Sequence, residues 1–174
     1  MTVGRGFIEK KKRVGLLLLD LDNFKQVNDK LGHDTGDLLL KYVARVLNYS
    51  LPKNCSTYRL GGDEFVVLVE NAKDDKELEE VAHIILKGIA NPHKIVNTKD
   101  KIEFNQDKLA HILNVIQMMN VTSSSIGGAI FPDNAKDKQE LYKKADKALY
   151  YTKGKGNNGY TAYSSMKDHY YSEI

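Results

Sequence analysis

The chain has 174 residues, 41% of them hydrophobic and 28% charged, which fits one folded domain and excludes a disordered polymer. Basic side chains number 26 against 23 acidic, and a net charge of +3 is too even a balance to argue for a nucleic-acid surface. A single cysteine, Cys55, excludes an internal disulfide or a cysteine-rich zinc site, and the longest aliphatic stretch, Val14 to Leu19, is far shorter than the roughly 20 residues that cross a bilayer.

Met1 to Arg13 has no apolar signal-peptide core, and its basic run comes at the end, so a reducing, cytoplasmic setting without membrane contact by this domain is expected. Val14 to Asp20 is a continuous apolar run closed by a carboxylate, the pattern of a buried central strand. Phe24 to Leu31 reads as a short helix ended by Gly32. Asp34 to Tyr49 reads as a longer one, with Leu38, Leu39, Tyr42, Val43, Val46 and Leu47 on one face. Thr57 to Leu60 and Phe65 to Val69 flank Gly61-Gly62-Asp63-Glu64 as a β-hairpin. Asp74 to Ala90 is a helix with Leu78, Val81, Ala82, Ile85 and Ile89 inward, closed by Asn91-Pro92.

The segment 97–120 starts polar and turns helix-like from Asp107 to Met119, with Leu109, Ile112, Leu113 and Ile116 at helical spacing. Core packing of an inserted helix is the expectation there, ahead of a regulatory or dimer contact. Val121 to Ile130 is a further strand, Asp137 to Lys153 a last helix, and Tyr160 to Tyr163 an edge strand. The order β-α-α-β-β-α-(insert)-β-α-β predicts an α/β (α+β) sandwich with a mostly antiparallel sheet, because hairpin connections dominate.

Three features point to chemistry. Asp20-Leu21-Asp22 stands at the carboxyl end of the buried strand, where an ionised group needs solvent, a partner or a metal. Asp63-Glu64 occupies a hairpin tip whose glycines let a ligand approach the backbone. Asn23-Phe24-Lys25 opens a helix, whose free amides and positive dipole end favour phosphate. Two carboxylate clusters at neighbouring strand ends suit hard cations that bridge phosphates, so metal-assisted chemistry on a nucleotide is implied.

Gly61-Gly62-Asp63-Glu64-Phe65 resembles the signature of the GGDEF family, the diguanylate cyclases that condense two GTP into cyclic di-GMP. The run Asp20 to Asp29, then Gly32-His33-Asp34-Thr35-Gly36-Asp37, resembles the family's upstream blocks in order and spacing. Ser125-Ile126-Gly127 and Ala145 to Tyr150 match downstream. The resemblance implies a nucleotidyl-cyclase, palm-like fold. It also implies Mg²⁺ or Mn²⁺ held by Asp20, the Leu21 carbonyl, Asp63 and Glu64. Asp63 would be the base for the attacking 3′-hydroxyl, and Lys25 would offset phosphate charge. Asn28 and Asp37 would read the guanine edge, with His33 nearby. Asn23 and Phe24 would offer backbone amides to the phosphates, and Lys153 would reach them from the last helix. Because one domain holds one GTP, a second GGDEF domain is the implied partner, in a homodimer with the reaction between its faces.

The chain departs from the family in places. The Asp-x-Leu-Thr segment that opens the family domain is missing, so a regulatory domain outside this chain is expected. Residues 1–13 read as the remnant of a preceding helix or linker, 14–165 as the domain, and 166–174 as a tail. Asn157 stands where the family commonly has Arg or Lys, with Lys155 close by. The positions of the family's Arg-x-x-Asp product-binding motif hold Pro52 and Cys55, which offer neither guanidinium nor carboxylate. The rival reading is a catalytically silent GTP- or cyclic di-GMP-binding module that regulates an attached domain. A generic palm-domain polymerase shares the paired carboxylates but gains nothing from Asn28 and Asp37.

Overall fold

The computed structural model describes residues 13–91, 107, 110–111, 114–115 and 123–169. Its elements are β1 (Val14–Leu21), α1 (Phe24–Leu31), α2 (His33–Ser50), β2 (Cys55–Gly61), β3 (Glu64–Glu70), α3 (Asp75–Ala90), β4 (Ser124–Phe131), α4 (Lys138–Gly154) and β5 (Gly159–Ala162), followed by a 3₁₀ helix over Tyr163–His169. The five strands form one sheet in the order β2-β3-β1-β4-β5. Three pairings are antiparallel and the last, β4 with β5, is parallel. The α+β sandwich with a mostly antiparallel sheet is therefore observed.

The pleat divides β1 between two cores. Leu17, Leu19 and Leu21 face α1, α2 and α3, with Val27, Val43, Val46 and Ile85 among the fully buried side chains there. Leu16 and Leu18 face α4, packing with Val66, Ala129, Leu141, Ala145 and Leu149. Both faces are covered, so β1 and β4 are almost entirely buried and read as unbroken apolar runs. All five residues expected on the inner face of α3 are buried. Helices α3 and α4 start at matching caps: Asp74 accepts from the Glu77 amide at 2.9 Å, and Asp137 from the Glu140 amide at 2.8 Å. The Tyr42 hydroxyl donates to carbonyls at the C-terminal end of α3, 2.8 Å from Gly88 O and 3.1 Å from Ile89 O, fastening α2 to α3.

Most of the segment 97–120, including Leu109, Ile112, Leu113 and Ile116, lies outside the described residues. Those that are described, Asp107, Ala110, His111, Asn114 and Val115, are helical. Val115 is buried in the core with α2 and α3, and the His111 Nε2 is 3.4 Å from the Thr35 hydroxyl of α2. Val115 was not on the apolar face expected for this segment, and the residues that were lie outside the described ones. Met166 of the 3₁₀ helix is also buried.

Helix α4 lies directly on β4, and Gly127 makes this approach possible. A Cβ there would collide with the backbone of Ala145 and Leu149. Gly127→Ala should cost about 3 kcal/mol, because the colliding atoms are main chain and cannot rotate away. Gly154→Ala is the control: nothing lies within 4 Å of its added methyl, and Ala favours the helix. Urea unfolding should show a much lower midpoint for the first and an unchanged or higher midpoint for the second.

Candidate active site

The register of β1 determines the site. Asp20 pairs with Glu64 of β3 on one side and with Ser125 of β4 on the other. Directly paired residues project from the same face of a sheet, so Asp20 and Glu64 both point toward α4. Two residues turn the hairpin between Gly61 and Glu64, with Gly62 at φ +52°, a backbone conformation suited to glycine. Arg59 Nε donates to the Gly62 carbonyl at 2.9 Å and braces the tip. Asp63 is half-buried at the tip and Glu64 is exposed.

Asp20 is partly enclosed and carries a carboxyl pKa above the ordinary aspartate value. Burial is the main cause, the charges of Asp63 and Asp22 add to it, and Lys153 opposes it. Lys153 Nζ, from the last turn of α4, lies 2.8 Å from Asp20 Oδ2. The site thus gathers more negative charge than one lysine offsets, on hard oxygen donors. Among the described residues, no group of three His, Cys, Asp or Glu side chains is placed to hold a metal by itself. Asp20 and Asp63 with a backbone carbonyl still fit Mg²⁺, which commonly takes one or two carboxylates and completes its shell with water and substrate phosphate.

On the other face of the sheet end, Asn23 enters α1 in the left-handed region, φ 62° and ψ 14°, which Asn tolerates well. The first helical bonds are donated by Gln26 and Val27 to the Asn23 carbonyl, so the amides of Phe24 and Lys25 precede the helix's own bonding pattern. The Phe24 side chain is buried in the core, leaving only its backbone to a ligand, while Lys25 is exposed. Asn28 is half-buried over Gly36, where a Cβ would overlap its amide oxygen. That contact explains the glycine and packs Asn28 against the first turn of α2. His33 and Asp37 are both exposed and share one face of α2 at i, i+4 spacing. A groove of about 400 Å³ between α2 and β2 is lined by Asp37, Lys41, Asn48, Thr57, Arg59 and Phe65.

Asp22, which the sequence left as one of a pair of strand-end carboxylates, has a different task from Asp20. It is 4% exposed and fully engaged. Its Oδ1 accepts from the Ser125 hydroxyl at 2.8 Å, and its Oδ2 from the Ser123 hydroxyl at 2.7 Å and the Asn158 amide at 3.1 Å. Asn158 reaches it through three consecutive positive-φ residues, Gly156, Asn157 and Asn158. Asn157 thus serves the loop geometry where a basic residue was the family expectation, and Lys155 Nζ lies 4.5 Å from the Tyr151 ring centroid. The serines at 123 and 125 were the available signal for Asp22, but only pairing of β4 with β1 reveals them as its partners.

The chain belongs to the GGDEF domain family: the family model described as the diguanylate cyclase GGDEF domain matches residues 5–106. It is 35% identical over 158 residues to the bifunctional diguanylate cyclase/cyclic di-GMP phosphodiesterase MucR of Pseudomonas aeruginosa, covering 91% of this chain and 20% of that protein. It is 32% identical over 151 residues to the diguanylate cyclase DgcS of Shewanella oneidensis, covering 87% and 43%. The chain spans less than half the length of these two relatives. Among solved structures, the GGDEF domain of TpbB (YfiN) from Pseudomonas aeruginosa superposes with a TM-score of 0.71 at 26% identity, covering 97% of this chain and 87% of that one. Among the described residues, no helix is long and apolar enough to cross a membrane.

Asp22→Asn tests the buried clamp. An amide offers one acceptor oxygen to three donors, so the substitution should cost about 2 kcal/mol in urea unfolding. Hydrogen exchange at the Asn158 amide should accelerate in the folded variant. Unchanged protection there would show that this carboxylate does not hold the loop.

Proposed function

We propose that this domain is a diguanylate cyclase module that joins two GTP into cyclic di-GMP and pyrophosphate, each of two domains presenting one GTP. The observation that carries the reading is the pairing of Asp20 with Glu64 beside the Asp63 tip, with the start of α1 at the same end of β1. Asp20, the Leu21 carbonyl, Asp63 and Glu64 would hold Mg²⁺ or Mn²⁺. When bound, the cation supplies charge neutralisation at the phosphates and lowers the pKa of a coordinated hydroxyl.

The chain's own residues bind and orient. The Asn23 and Phe24 amides with Lys25 receive phosphate oxygens at the positive end of α1. Asp37 accepts from the guanine N–H donors, and the Asn28 amide donates to the base's acceptors. His33, one turn from Asp37, borders the same nucleotide. Asp63 takes the proton from the 3′-hydroxyl as its oxygen bonds to the α-phosphorus of the second GTP. The bond from that phosphorus to the bridging oxygen breaks, and pyrophosphate leaves with the electron pair; the reciprocal attack, by the second nucleotide's 3′-hydroxyl on the α-phosphorus of the first, closes the ring and releases a second pyrophosphate. Product feedback through Pro52 and Cys55 is not part of this reading: burial, then Glu77, pushes the Cys55 thiol up to about 11, so it stays a neutral thiol where a carboxylate would be needed.

Asp63→Asn should leave folding intact and reduce cyclic di-GMP formation below detection in a chromatographic assay of GTP with Mg²⁺. Near-normal turnover would remove Asp63 from the chemistry. Asp37→Ala should weaken GTP by about 2 kcal/mol while leaving ATP nearly unchanged, because adenine lacks the paired N–H donors that a carboxylate accepts. Calorimetric titration of both nucleotides separates base reading from a general loss of affinity, which would appear as equal weakening. A silent regulatory module would bind GTP with the same Asp37 dependence and form no product.

A further inference from the structure

Asp20 and Lys153 are held against each other by parts of the fold that do not depend on a ligand. Asp20 lies at the end of a strand paired on both sides, and its side chain is 15% exposed. Lys153 comes from a helix pressed onto β4 at Gly127. Beside it, the Thr152 hydroxyl lies 3.0 Å from the Ile126 carbonyl and 2.8 Å from the Thr161 hydroxyl. The helix closes with bonds from the Lys155 and Gly156 amides to carbonyls of Tyr151, Thr152 and Lys153. The Lys153 backbone is therefore pinned, and only its 40% exposed side chain is free to rotate. Its ammonium already lies 2.8 Å from Asp20 Oδ2.

We propose that Lys153 is a tethered counter-ion that occupies Asp20 in the ligand-free domain and competes with the divalent cation for that carboxylate until a triphosphate draws it away. This rests on the reading of Asp20 as a cation ligand. A cation brought to Asp20 meets an ammonium on the same oxygen, so the cation alone binds weakly. A triphosphate offers the lysine a new anionic partner and frees the carboxylate. Cation and nucleotide then favour each other through one side chain, and the coupling is reciprocal by thermodynamic necessity. Such a device keeps the acidic cluster neutralised between turnovers and reserves tight cation binding for the nucleotide complex.

The test is a titration of Mn²⁺ alone, followed by electron paramagnetic resonance of the free ion, on wild type, Lys153→Met, Lys153→Arg and Asp20→Asn, with far-UV circular dichroism confirming that each is folded. Lys153→Met should tighten Mn²⁺ about tenfold, since a pair this exposed is worth only a modest free energy and a nearby like charge is removed as well. Lys153→Arg keeps the charge and can grip the carboxylate with two bonds, so it should bind Mn²⁺ no more tightly than wild type, and Asp20→Asn should lose the site. If Mn²⁺ binds wild type in an Asp20-dependent way and Lys153→Met binds it no more tightly, the counter-ion role is overturned and the reading of the site survives. If no variant with Asp20 intact binds Mn²⁺ at a site that Asp20→Asn abolishes, the ligand role of Asp20 fails and the counter-ion proposal fails with it.

Discussion

The register between β1 and β3 is the constraint on which the site depends. Leu19 opposite Phe65 and Asp20 opposite Glu64 leave no slack, because both faces of β1 are buried. A slip of one residue would drive Leu17 and Leu19 toward α4 and turn Asp20 into the core beneath α1 and α2. The apolar face that stabilises the fold therefore also sets where the carboxylate emerges. The hairpin tip follows from the same register, since two residues suffice to turn from Gly61 back to Glu64. The acidic cluster and the hydrophobic core are specified here by one set of backbone bonds.

Much of this was legible in the residues. Four helices were placed to within a residue of their observed ends, α2 and α3 from apolar spacing, while the caps at Asp74 and Asp137 are seen only in the structure. Helix α1 runs over the expected Phe24–Leu31. Other features are set by long-range contacts that local pattern does not encode. The parallel partnership of β5 with β4 depends on where α4 returns the chain. Gly127 entered the sequence reading as part of a family match, and its physical reason is the backbone of α4 lying against it.

Asp20 and Asp22 show the same limit at the level of single side chains. They are two residues apart and identical in chemistry, yet one faces the site and the other is sealed beneath it. Carboxylate burial is costly unless donors replace water, and Asp22 has two hydroxyls and an amide. Those donors come from residues roughly a hundred positions away or more, so Asp-x-Asp alone cannot say which carboxylate is structural. The internal clamp in turn holds the loop after α4, where Asn157 and Asn158 both take left-handed backbone.

That loop bears on how charge is balanced in the proposed reaction. With Asn157 committed to backbone geometry and Lys155 near the Tyr151 ring, Lys153 is the cation of this region paired with Asp20 among the described residues, and Lys25 stands exposed at the start of α1. Lys25 lies at the start of α1, whereas Lys153 begins on the carboxylate. A lysine is suited to that double duty: its ammonium is a compact point charge on a flexible stem, and it can move from one oxygen to another without losing a fixed bidentate geometry. An arginine locked onto Asp20 by two parallel bonds would surrender the carboxylate less readily. The same sheet end thus sets a well-held acid group against a cation that is anchored at its backbone and free at its tip.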